Sequence, residues 1–228
     1  MTPQIVSINV GKPKKIVYQG KEVETGIYKE PVHRPLFLSK TQLEGDGQAD
    51  LEVHGGPDKA LCVYSANHYD YWEKELGQPL SFGAFGENIT ISGLEEEEVC
   101  IGDIYELGEA LVQVSQPRRP CFKLSIRYSD VKLPVKLQDT GYTGFYFRVL
   151  KEGIIPENPV FRLVTKHAQG LTVEFVNTCK YHDKNNIPGI RIILANEALA
   201  ESWRGSFEKK LAEAVDLSDP AQSGGVKE

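Results

Sequence analysis

Gln116 to Lys123, QPRRPCFK, gathers the residue types that make a thiol reactive: Cys121 stands among Pro117, Arg118, Arg119, Pro120 and Lys123. The thiolate is the nucleophile and the metal ligand, and nearby cations favour it by stabilising the charged form. The two prolines hold the backbone extended and exclude a helix interior. The sequence therefore predicts a stiff strap that presents Cys121 just after the strand-like run ALVQVSQ. Two roles suit such a sulfur: nucleophile, or ligand to a soft metal. The competing reading is a cysteine that packs as a small hydrophobe.

Two glycine-containing loops could serve the same chemistry. His54, Gly55, Gly56, Pro57, Asp58 and Lys59 precede the buried-strand-like run ALCVYS, and glycines there let backbone amides approach a ligand. His54 also reads as a hydrogen-bonded structural histidine. In SFGAFGENITISG, Gly86, Glu87 and Asn88 form a polar corner before a strand. The glycines lack the strand, GxGxxG and helix order of a dinucleotide site, which excludes a Rossmann reading. Cys62, Cys100, Cys121 and Cys179 contain no CxxC pair, so zinc-ribbon and redox-dithiol signatures are excluded too. Lys12, Lys14 and Lys15 read as a solvated turn or as an anion-binding rim, and Glu95 to Glu98 as a solvated turn.

The elements that must position these residues are mostly strands. IVSINV alternates apolar positions, KIVYQGKEVETGIY reads as a hairpin broken at Gln-Gly, and VCIGDIYELGEALVQVSQ gives two strands joined near Gly108. KLQDTGYTGFYFRVLKEGII and PVFRLVTKH complete the β-rich part. One helix is expected in ANHYDYWEKELG, capped by Ser65 or Asn67 and ended by Gly77, with its aromatics in the core. After Ala168 the pattern changes to three- and four-residue apolar spacing. About three short helices are expected, with a break at Ile187-Pro188-Gly189 and a frayed tail. They are too small to hold much core alone, so they should dock on the β part or mediate association.

Composition bounds the function. With 228 residues and 40% hydrophobic content the chain can bury a sizeable core. A net charge of -6 argues against a general nucleic-acid or membrane-surface binder. No eighteen-residue apolar run and no secretory pattern at the N-terminus are present, so a cytoplasmic protein is expected.

VHGGPDKA, FGENIT, IGD and QPRRPC, in this order, resemble the MOSC family, named for the C-terminal domain of molybdenum cofactor sulfurase. With the helical tail, the chain resembles the bacterial subfamily that carries a three-helix C-terminal domain and protects against 6-N-hydroxylaminopurine. The resemblance implies a mainly β fold, with a MOSC-type β-barrel-like domain at 1–165 and a small α-helical unit with a disordered tail at 166–228. It implies molybdenum cofactor (molybdopterin) bonded through Cys121, and at the level of the family an association with pyridoxal phosphate. By the same resemblance His54, Gly55, Gly56 and Lys59 face the cofactor, and Gly86, Glu87 and Asn88 form another corner. Lys29, Arg118 and Arg119 are candidates for its phosphate or pterin. The implied activity is reduction of small N-hydroxylated bases and related compounds. No flavin or haem motif is present, so electrons must come from a separate donor such as a flavin reductase. A homodimer is compatible with this reading. Two alternatives remain open: a carrier of the cofactor or of sulfur, and a metal-free binding module.

Overall fold

The computed structural model describes residues 2–49 and 55–216. The alternating run at the N-terminus forms β1 (Gln4–Val10). β2 (Lys14–Tyr18) and β3 (Lys21–Thr25) form a separate two-stranded sheet, turned at Gln19 and Gly20, both with positive φ. That turn geometry matches the twist of a tight hairpin. The main sheet adds β4 (Glu30–Pro31), β6 (Leu61–Ser65), β7 (Ile89–Ser92), β8 (Ile104–Leu107), β9 (Ala110–Pro117), β10 (Phe145–Lys151) and β12 (Phe161–Thr165). β5 (Leu36–Leu38) and β11 (Gly153–Ile155) pair beside it.

The eight strands follow the order β12-β8-β9-β10-β6-β7-β1-β4 and curl into a barrel-like mixed sheet. Only β6 against β7 is parallel. A parallel pair needs a crossover, which α1 (Tyr69–Leu76) supplies. Ser65 caps the 3-10 turn that leads into it by accepting from Asn67 N at 3.3 Å, and Gly77 ends it in the left-handed region.

β6 is buried along its whole length and separates two cores. Leu61 and Val63 face the first, with Val112, Val114, Phe145 and Phe147; Tyr64 faces the second, with Tyr69, Trp72, Phe85, Leu124 and Leu137. The second core is built on α2 (Lys123–Tyr128) and α3 (Leu133–Thr140). Here the sequence reading is corrected, since KLQDTG belongs to a helix and the strand starts only at Phe145. Pro134 suits the first turn, Leu133 and Leu137 bury one face, and Gly141 caps the end. The acidic turn is corrected as well. Glu96 is buried, 2.7 Å from both His68 Nε2 and Gly144 N.

The C-terminal helices are α4 (Val173–Asn177), which runs into a π-turn, α5 (Ile187–Leu194) and α6 (Glu201–Asp216). Ile187-Pro188-Gly189 is no break. It forms the first turn of α5, where Asn186 accepts from Gly189 N at 2.7 Å and a proline loses no helical hydrogen bond. Val176, Ile190, Ile193, Trp203 and Phe207 share one buried cluster with Leu107 and Val114 of the sheet, so the helices dock on it. Among the described residues no helix is long and apolar enough to cross a membrane.

Candidate functional site

A cleft partly open to solvent lies beside the strap that follows β9. Its walls include Lys29, Lys59, Gly86, Asn88, Arg118 and Cys121. Six sequence candidates thus meet from four segments of the chain. Although the chain carries a net charge of -6, the described wall presents Lys29, Lys59, Lys123 and Arg118 against one carboxylate, Asp46. An anion is the matching ligand.

Each wall residue is held by the fold. The 3-10 turn Pro57–Lys59 delivers Lys59, anchored where Ser115 Oγ donates to Asp58 O at 2.6 Å and Arg148 pairs with Asp58 at 2.8 Å. Lys29, buried, pairs with Asp46, which also accepts from Gly11 N at 2.9 Å and from Asn88 Nδ2 at 2.8 Å. Asn88 in turn accepts from Cys62 N at 3.1 Å. Gly86 has φ 79, and a Cβ there would meet Ile27 Cγ1 at 2.9 Å, so both conformation and space demand glycine.

Arg118 is 5% exposed, and one of its terminal nitrogens donates to Phe85 O. Its Nη1 is buried without a hydrogen-bond partner. Burial works against the charge, but Cys62, Tyr146 and Glu87 outweigh it and raise the guanidinium pKa. An unpartnered donor on a cleft wall asks for an acceptor from outside the chain. Cys121 is half-buried on the strap between Arg118 and α2.

Cys62 and Tyr146 complete the wall, and the sequence reading gave them no site role. They are register partners across β6 and β10. Because strand side chains alternate, the residues that put Leu61, Val63, Phe145 and Phe147 in the first core turn Cys62 and Tyr146 the other way. Burial pushes the Cys62 thiol up, against the pull of Arg118. Burial also pushes the Tyr146 phenol up, with Cys62 adding to the effect. Both therefore keep their protons at neutral pH. Asp46 was given no site role either.

Other candidates lie elsewhere. Glu87 is fully buried and accepts from Gly83 N at 2.9 Å, Phe85 N at 3.0 Å, Thr90 Oγ1 at 2.9 Å and the Tyr69 hydroxyl. Its oxygens are consumed in shaping the loop that places Gly86, so it is corrected from ligand contact to scaffold. Arg119 is exposed, donates to Ser202 O at 2.9 Å and covers Trp203 at 5.0 Å, pointing to α6 rather than into the cleft. Gly55 and Gly56 lead into the turn carrying Lys59 without lining the cleft, and Gly56 has φ 96. His54 lies outside the described residues.

Residues 50–159 match the MOSC domain, and residues 171–214 match the YiiM-like, 3-alpha helix domain. The uncharacterized protein YflK of Bacillus subtilis is 52% identical over 206 residues, 90% of this chain and 93% of that protein. The crystal structure of YiiM from Geobacillus stearothermophilus superposes with a TM-score of 0.79 at 44% identity, covering 92% of this chain and 99% of that one. A protein of Gibberella moniliformis named Reductase is 37% identical over 166 residues, which is 71% of this chain but 29% of that protein.

Proposed function

Because the chain belongs to the MOSC family and carries the YiiM-like three-helix domain, we propose that it is a molybdenum-cofactor reductase of N-hydroxylated bases and related compounds. The observation that carries this reading is the unpartnered, buried Nη1 of Arg118 on a cationic cleft wall shared with Cys121. A phosphorylated pterin with a sulfur-liganded metal needs anion donors and one soft thiolate, and this donor set fits it. The name Reductase borne by a relative supports the same class of chemistry.

When bound, the cofactor supplies a metal that takes oxygen from nitrogen. Cys121 would hold that metal, while Arg118, Lys59 and Lys123 would hold the phosphate. Lys29 contributes less net charge because Asp46 is already paired with it. Conversion of a hydroxylamine to an amine and water consumes two electrons and two protons. Tyr146 and Cys62, both kept protonated by burial, stand on the wall as proton holders. The electrons come from a separate donor protein.

The test is purification from a host that makes the cofactor, followed by molybdenum and pterin analysis and reduction of 6-N-hydroxylaminopurine with a chemically reduced viologen. Near-stoichiometric molybdenum with turnover is expected. Molybdenum-free protein that turns over at full rate, or loaded protein with no turnover, would overturn the reading.

A further inference from the structure

Four cations converge where the cysteine strap meets the helical unit: Arg119, then Lys180 and Lys184 after α4, and Lys210 of α6. Arg119 donates to Ser202 O at 2.9 Å, Lys180 donates to Ser206 Oγ and lies 5.7 Å from the Phe207 ring, and Lys210 donates to Cys179 O at 3.3 Å. Ser202, Ser206 and Lys210 are spaced four apart, one stripe of α6 with about 5.4 Å between turns. Arg119, Lys180 and Lys210 are thus strung along two turns of one helix.

Their charge is not neutralised. Among the described residues none of the four makes an ion pair with a carboxylate. Burial pushes Lys180 down, and Arg119, Lys210 and Lys184 push it further. Lys210 is likewise lowered by burial and by Lys184, with Asp183 opposing. In a chain with 32 acids and 26 bases, unopposed cations cost stability, and such arrangements concentrate at functional sites. The Ser206 hydroxyl accepts from Lys180 and keeps its own proton to donate.

We propose that this stripe is a polyphosphate site: a ligand with two or more linked phosphates lies along α6, with Arg119, Lys180 and Lys210 as charge-assisted donors and Ser206 as a neutral one. A single phosphate spans too little of the row to use all three cations. An acidic protein surface suits it less well, since Lys180 and Lys210 are half-buried with their ammonium groups tethered to the helix and to the chain beneath it. This site is separate from the cleft and does not depend on the reductase reading.

Calorimetric titration of the full-length protein as purified tests it with pyrophosphate, ADP, orthophosphate and adenosine. Pyrophosphate and ADP should bind, orthophosphate at least tenfold more weakly, and adenosine not at all. Lys180→Gln and Lys210→Gln should each weaken pyrophosphate at least tenfold while raising the melting temperature, because removal of a repelling charge relieves the fold. Arg118→Ala, which alters the cleft, should leave this binding in place. ADP binding tighter than pyrophosphate, with the same sensitivity to both lysine changes, supports the site and makes a nucleotide its ligand. Pyrophosphate binding no better than orthophosphate, or binding lost in Arg118→Ala and kept in the lysine variants, overturns it.

Discussion

Arg118 and Arg119 share a peptide bond and serve two regions. Arg118 turns inward to the cleft, where Phe85 O holds one nitrogen and Lys29 is paired with Asp46. Arg119 turns outward to α6, where the neighbouring cations repel one another and none forms a salt bridge with a described carboxylate. In the cleft, positive charge is organised by partners that fix its geometry. On the helix stripe it is held by hydrogen bonds without a salt bridge. A buried cation must be paired or hydrogen-bonded to be tolerated at all, whereas a half-exposed one can wait in water for its partner.

The cleft side of this comparison breaks most completely at its thiol. Cys121→Ser should abolish molybdenum-dependent turnover, because a hard hydroxyl replaces the thiolate a soft metal requires. Cys62→Ser should retain the metal and most turnover, as should Cys100→Ser and Cys179→Ser. Metal analysis and turnover of the four variants check this, and an essential Cys62 would move the metal site across the cleft.

Asp46→Ala should cost about 3–5 kcal/mol of stability, since it leaves Lys29 buried without its counter-charge. Chemical denaturation measures it. The double change Lys29→Met with Asp46→Leu should recover most of that loss, and a double variant no more stable than Asp46→Ala would count against the pairing. A smaller effect is expected at Arg118. Loss of one charge-assisted bond is worth about 1.5–3 kcal/mol, or roughly ten- to a hundredfold in cofactor affinity. Arg118→Lys should recover only part of it, because the planar fork is lost. Arg119→Ala should leave cofactor occupancy unchanged, and equal losses from both arginines would erase the distinction between the regions.

Much of this was legible in the sequence. Strand periodicity, the Gln-Gly hairpin and the strap at Cys121 are local features that follow from alternation, turn chemistry and proline geometry. The cleft was legible in part. The parity of Phe145 and Phe147 already implies that Tyr146 faces the opposite side, but no local signal says that β10 lies against β6 and so brings Tyr146 to Cys62. Asp46 and Lys29 are 17 residues apart with β4 and β5 between them, and nothing in the turn shows where it returns. Glu87 and Arg119 failed for another reason. Their chemistry suited a ligand, but backbone donors in one case and an α6 carbonyl in the other had already taken them.

The helix stripe makes the subtlest prediction, in the pH dependence of stability. Lys180 and Lys210 have folded-state pKa values below the ordinary lysine value. Below the lowered values both folded and unfolded chains hold these protons, so the repulsion acts in full. Between the lowered values and the ordinary one, the folded chain sheds protons that the unfolded chain keeps, so these groups make stability rise with pH. Cys62, Tyr69, Tyr105 and Tyr146 act in the opposite direction. Their folded values are raised chiefly by burial, so the stability they add is lost as the unfolded chain ionises first. The wild-type curve therefore mixes both signs, and only a difference isolates the stripe. Wild type minus the Lys180→Gln, Lys210→Gln double variant should give a stability difference that climbs through the alkaline range, starting from a deficit at neutral pH. Saturating pyrophosphate should flatten that difference, because a bound anion holds both lysines charged. A difference curve that is flat without ligand would show that the cations do not repel, and with it the contrast between the paired cleft and the stripe without salt bridges would fall.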